Sequence, residues 1–177
     1  MKYKLNEFFI ENFRVKKLAQ KYKTPLYCYS FNKIRENIYN FKNNFKSFNP
    51  IICFSVKSNS NTIILKEMGK MGLGADVVSI GELMKALKSG IKSKKIVFSG
   101  VGKTTEEIKY AIEKKILLIN AESKNEILEI ERIAKLKKKI VDVGIRLNPN
   151  TDAKTLSQIS TGKKQNKFGV TEKIFLD

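Results

Sequence analysis

FSVKSNSN, residues 54 to 61, decides the reading of this chain: a short apolar run ends on Lys57 and an Asn/Ser turn follows at once. A strand sends alternate side chains to opposite faces. Over residues 51 to 57, Ile52, Phe54 and Val56 therefore share one face, and Cys53, Ser55 and Lys57 share the other. The larger, apolar face suits packing against helices. The smaller, polar face suits a barrel interior and ends in an amine, at the C-terminal mouth of the strand where (β/α) barrels place their chemistry. An amine enclosed by apolar walls has its charged form disfavoured, and in its neutral form it condenses with an aldehyde. The competing reading is a surface lysine at a strand end, in a chain whose 35 basic residues are mostly lysine.

A second run bears on that choice. In residues 141 to 148, Val141, Val143, Ile145 and Leu147 fall on one face and Asp142, Gly144, Arg146 and Asn148 on the other. A strand so branched and apolar on one side is not a solvated edge, and a face carrying Asp, Arg and Asn is not ordinary core. The polar face is expected to line a site.

Between these runs one unit repeats. Ile51 to Val56 precedes a helical pattern from Asn61 to Met71, Ala75 to Val78 precedes Gly81 to Lys88, and Ile96 to Ser99 precedes Thr105 to Lys114. Ile116 to Asn120 then precedes Lys124 to Lys138, Val141 to Asn148 follows, and a last short strand candidate begins near Phe168. Periodicity alternating between two and about 3.6 indicates βαβ units and a parallel sheet. Ser79, Thr104 with Glu107, and Ser123 with Glu126 mark helix starts, the last two as capping boxes. Gly72, Gly74, Gly90 and Gly100 punctuate the joints. The fold class predicted is α/β, an incomplete (β/α) barrel of the TIM type with five to six of its eight strands.

Six ordered segments, FSVKSNSN, GADVVSIGEL (74–83), FSGVGKTTEEI (98–108), NAES (120–123), RLNPNTDAKT (146–155) and ISTGKKQNKFG (159–169), extend the comparison from Thr24 to Val170. Together they resemble the diaminopimelate decarboxylase family, fold type III enzymes with an alanine-racemase-like barrel that binds pyridoxal 5'-phosphate. The resemblance implies that Lys57 is the catalytic lysine linked to the cofactor, that Asp76 is an acidic residue close to it, and that Arg146 lies beside the cofactor on a later strand. Asp76 also reads as a solvated strand-end carboxylate. Ser99, Gly100, Asn148 and the Ser160–Gly162 turn read equally as pocket residues or as turn chemistry.

The implied reaction is decarboxylation of meso-2,6-diaminopimelate to L-lysine and carbon dioxide, with a small amino acid as substrate. Alternatives are a related barrel decarboxylase or racemase acting on ornithine or arginine, and a non-catalytic relative. The segments DAKT and ISTGKKQNKFG favour the first. In the family a His-containing segment, a Gly-rich phosphate loop, an acid facing the pyridine nitrogen and a C-terminal β domain all come later, and relatives form homodimers. This sequence has no His, and Leu156 stands where relatives often carry one. The organisation predicted is residues 1–30 as a helix and strand belonging with the absent β domain, and 31–177 as the partial barrel. Open parallel edges lead to an expectation of marginal stability and self-association.

Net charge +18 and a pI near 9.8 invite a nucleic-acid reading. The lysines are nevertheless spread along the chain, densest at Lys137–Lys139, and Arg is scarce, so no dedicated nucleic-acid surface is expected. Cys28 and Cys53 match no metal spacing or disulfide framework and are expected reduced and packed. No apolar run is long enough to cross a bilayer, and the start MKYKLNEFFIENF lacks a signal-peptide core. Residues 1–23 are expected to form an amphipathic helix, and the location expected is cytoplasmic.

Overall fold

The computed structural model describes residues 2–4, 6–151 and 168–176. Its contacts divide it into two compact units, residues 1–50 and 51–177.

The first unit opens as an antiparallel meander of β1 (Lys2–Lys4), β2 (Glu7–Ile10) and β3 (Phe13–Arg14). Asn6 and Glu11 turn the chain between these strands with positive φ, 59° and 54°. Helix α1 spans Val15–Tyr22 and α2 spans Phe31–Asn44, where Ser30 Oγ accepts from Lys33 N at 3.1 Å as the N-cap. The single helix predicted over residues 1–23 is thereby corrected, since helix begins only at Val15. Phe8, Phe9 and Ile10 favour a strand, and turn residues on either side close it before a helix can nucleate. Thr24–Ser30 joins no strand ladder.

The second unit follows the predicted repeat. Strands β4 (Cys53–Ser55), β5 (Gly74–Val77), β6 (Ile96–Phe98), β7 (Leu118–Ala121) and β8 (Val143–Ile145) form one parallel sheet of five strands in sequence order. Helices α3 (Thr62–Lys70), α4 (Ile80–Lys88), α5 (Thr105–Glu113) and α6 (Lys124–Leu136) connect them. Right-handed crossovers between neighbours taken strictly in order put every helix on the same face. A doubly wound sheet reverses its order at a switch point, and this one does not. Winding is therefore that of a barrel wall.

The core lies on the helix face. Val56, Ala75, Val77, Ile96, Phe98, Ile119 and Ala121 meet Leu65, Leu83, Ile108, Ile112, Ile130 and Ile133 there, nearly all without solvent contact. The strand parity predicted for residues 51–56 holds, with Val56 in the core and Phe54 packed against it. Gly74 is required by close approach, because a Cβ there meets the Lys95 carbonyl oxygen and Cys53 Sγ. Val143, Ile145 and Leu147, whose shared apolar face was not expected on a solvated edge, are exposed on and just beyond β8, where the five-stranded sheet ends.

Helix starts match as well. Asn61, Ser79, Thr104 and Ser123 each cap their helix through the side-chain oxygen. Thr104 and Glu107 complete a capping box, whereas Ser123 supplies only its half because the Glu126 carboxylate is engaged elsewhere. Beyond β8 the chain continues through Arg146 into β9 (Leu147–Asn148), which pairs in parallel with β10 (Val170–Thr171), followed by α7 (Glu172–Leu176). The strand candidate near Phe168 is thus present.

Two outcomes test this packing. Phe98 is fully buried, so Phe98→Ala is expected to cost about 3–5 kcal/mol of unfolding free energy, read from urea denaturation; a loss below about 1 kcal/mol contradicts a packed site. Burial pulls the Glu107 carboxyl up, but hydrogen bonds from Thr104 and Ile80 outweigh it and hold the group below its ordinary value of 4.5. A depressed folded value stabilises above the ordinary carboxylate range and loses that contribution as pH falls through it. The thermal advantage of the wild type over Glu107→Gln is accordingly expected at pH 6 and to shrink towards pH 3.

Candidate active site

Because α3 to α6 occupy one side of the sheet, its other face is left to the alternate side chains. Ser55 on β4, Asp76 on β5, Ser99 just past β6, Asn120 on β7 and Gly144 on β8 form a polar row across it. Ser99 Oγ donates to Asp76 Oδ1 at 2.7 Å, Asn120 Nδ2 donates to Ser99 Oγ at 3.1 Å, and Ser55 Oγ reaches Asp76 Oδ2 at 3.4 Å. Gly144 keeps the end of the row open, since a Cβ there falls on Asn120 Oδ1. Asp76 is half-buried and doubly bonded, not a freely solvated strand-end carboxylate. Cys53 lies on the same face below Ser55; burial pushes its thiol up, the Asp76 charge adds to the effect, and Lys95 opposes it.

Lys57 departs from expectation in its setting. The strand ends at Ser55, and Val56–Ser58 form a 3-10 turn closed by Asn59 N to Val56 O at 3.0 Å and Ser58 Oγ to Ser55 O at 2.7 Å. The side chain is exposed and has no hydrogen-bond or ion-pair partner among the described residues. The enclosed amine that the strand pattern predicted is corrected to an open one. Its position at the C-terminal end of β4 stands. The physical reason is that alternation stops where the strand does, and a sheet of five strands leaves its inner face open to solvent.

A second cluster sits at the same end of the sheet, and the residue patterns had not singled it out. Lys103, 2% exposed, donates to Glu126 Oε1 at 2.8 Å and to the carbonyls of Gly100 and Asn120 at 2.7 Å each. All three of its donors are thereby matched. Glu126 Oε2 accepts from Glu122 N at 2.8 Å. Glu122, 3% exposed, receives Gly100 N at 3.2 Å and Arg146 Nη1 at 3.1 Å on Oε1, and Gly169 N at 3.1 Å on Oε2. Arg146 also lies over the Phe168 ring at 4.9 Å from its centroid. The available signal was the presence of Lys103 and Glu122 inside the quoted segments FSGVGKTTEEI and NAES.

The three residues named from sequence share one end of the sheet without touching. Asp76 is tied to Ser55, two positions before Lys57, while Arg146 leaves β8 at the opposite edge and bonds to Glu122. Asn148 is buried, its Nδ2 donating to Phe168 O at 3.1 Å, and Gly100 serves as a Glu122 donor. Ser160–Gly162, DAKT and Leu156 lie outside the described residues.

A singly wound parallel sheet with a lysine at the mouth of its first strand and a polar, helix-free face defines the wall of a ligand-binding (β/α) barrel. The profile described as "Pyridoxal-dependent decarboxylase, pyridoxal binding domain" matches residues 31–175. This chain belongs to that family. It is 50% identical over 165 residues to a diaminopimelate decarboxylase of Helicobacter pylori strain J99, covering 93% of this chain and 41% of the relative. Among solved structures, the H. pylori diaminopimelate decarboxylase complexed with L-lysine superimposes with a TM-score of 0.87 at 49% identity, over 92% of this chain and 41% of that one. The M. jannaschii diaminopimelate decarboxylase in co-complex with L-lysine gives 0.89 at 39% identity, over 99% and 42%. The chain thus spans about two fifths of the length of the relatives it matches.

Removing one partner of a buried ion pair strands the other charge. Lys103→Met is therefore expected to lower stability by about 3–5 kcal/mol in chemical denaturation, and Lys103→Met combined with Glu126→Gln to recover part of the loss; equal losses in the single and double variants exclude a mutual pair.

Proposed function

We propose that this chain is the lysine-bearing wall of a pyridoxal-phosphate decarboxylase that converts meso-2,6-diaminopimelate to L-lysine and carbon dioxide. One observation carries the reading: a lysine amine that is exposed and has no partner among the described residues sits in the turn closing a parallel strand, whose neighbouring strand carries Asp76 on its polar face. The two lysine complexes of relatives, at 39% and 49% identity, favour lysine as the product. The start of the family match at residue 31 supports assigning 31–177 to the barrel and 1–30 to a neighbouring domain. No helix among the described residues is long and apolar enough to cross a membrane, and we place the activity in the cytoplasm with the other chemistry of small amino acids.

The residues present fit the cofactor. Its aldehyde calls for an unengaged amine, which Lys57 offers; its oxyanions call for donors, and Arg146 has N–H groups beyond the one given to Glu122. When bound, pyridoxal phosphate supplies a conjugated ring that accepts the electrons left on the α-carbon as carbon dioxide departs. Lys57 would hold it through its side-chain nitrogen. Asp76, held by Ser55 and Ser99, keeps a fixed negative group beside the tether. In a closed eight-stranded barrel the first and fifth strands face one another across the lumen. Lys57 and Arg146 then approach a ligand from opposite walls, which gives their separation on the open sheet a use.

Sodium borohydride reduction of the chain incubated with pyridoxal phosphate, followed by peptide mapping, tests the reading. The pyridoxyl group is expected on Lys57, and Lys57→Ala is expected to lose that label. Labelling spread over surface lysines with no preference for Lys57 refutes it.

A further inference from the structure

The charged side chains at the ends of β6, β7 and β8 run in a connected line, Lys103 to Glu126, Glu126 to the Glu122 backbone, and the Glu122 carboxylate to Arg146. Only the last member reaches solvent appreciably, Arg146 being 39% exposed against 3% for Glu122. Glu122 is itself immobilised from several sides, by the amides of Gly100 and Gly169 and by its own amide on Glu126. Arg146 has three restraints: the Glu122 bond on one Nη, the Phe168 ring beneath its guanidinium, and Gly169 against its stem, where a Cβ comes within 3.2 Å of Arg146 Cγ. Positive φ of 79° at Gly169 permits that approach.

We infer that Glu122 is the positioning residue for Arg146, fixing one edge of the guanidinium so that its remaining donors form a preset receptor for an oxyanion of the cofactor. An unrestrained arginine loses considerable rotamer freedom when it binds, and a carboxylate that orders it beforehand removes that cost from the binding step. Glu122 touches no ligand in this scheme. It acts through Arg146, and Lys103 acts one step further back by holding Glu126. The same carboxylate receives Gly169 N, so the arrival of β10 and the orientation of Arg146 are set together. This inference rests on the proposed cofactor only for the identity of the oxyanion.

Side-chain nitrogen NMR of the ligand-free full chain separates the two. Arg14, Arg35, Arg132 and Arg146 are few enough for Arg146→Lys to identify its signals. Restricted Nη rotation is expected for Arg146 in the wild type and its loss in Glu122→Gln. Free rotation in the wild type, or no change in Glu122→Gln, overturns the inference; should Glu122→Gln fail to fold, the wild-type signal alone decides. Pyridoxal phosphate titration of Glu122→Gln, Arg146→Lys and the double variant then measures coupling. Each single change is expected to weaken binding about tenfold, and the double change to weaken it little beyond either single one. Independent, multiplying losses refute the positioning role. Failure of the wild type to bind pyridoxal phosphate, with the Arg146 signature intact, counts against the proposed cofactor and leaves the Glu122 assignment supported.

Discussion

Everything in the second unit depends on five parallel strands being laid down in sequence order with their helices on one side. That winding divides the alternate side chains of each strand between two different solvents. Phe98, Ile119 and Val77 go to a dry layer under the helices, while Asp76, Asn120 and Gly144 go to the face no helix covers. Polar groups survive there because they bond laterally, strand to strand, and need no partner from above. A barrel wall is in this sense a sheet that keeps one side in reserve for a ligand.

The ends of the strands require a different solution. Loops after β6, β7 and β8 bring backbone carbonyls and amides into a crowded region where water cannot serve them all. Lys103 takes two of the carbonyls and Glu122 two of the amides, and Glu126 joins the two charges into one system. A buried pair of this kind is tolerated because every donor and acceptor is used. The line of bonds ends at Arg146, the one member with appreciable solvent exposure.

Much of this was legible in residue order. Apolar periodicity placed α3 to α6 within a residue or two, and Ser79, Thr104 and Ser123 signal caps that the backbone adopts, whereas Asn61, read as the first helical residue, is itself a cap. Parity set Arg146 on the polar face of its strand, and its guanidinium bonds to Glu122; Asp76, expected by resemblance near Lys57, bonds instead to Ser55 and Ser99. The misses have local causes. At the N-terminus the aromatic run Phe8–Phe9 outweighed a helical pattern. At Ser123 the capping box was incomplete because Glu126 serves a lysine twenty-three positions away, a contact no window on the sequence contains. Lys57 was placed at the correct strand end but in a turn, since parity carries no information past the last ladder bond.

By itself the sequence determined which residues could be strand, helix or cap, and which side chains would share a face, because those properties depend on neighbours a few positions apart. Tertiary structure decided what the faces meet. It left the inner face open to solvent at Lys57 and locked Lys103, Glu126, Glu122 and Arg146 into one chain of charge, since burial and pairing depend on groups brought together only when the strands align.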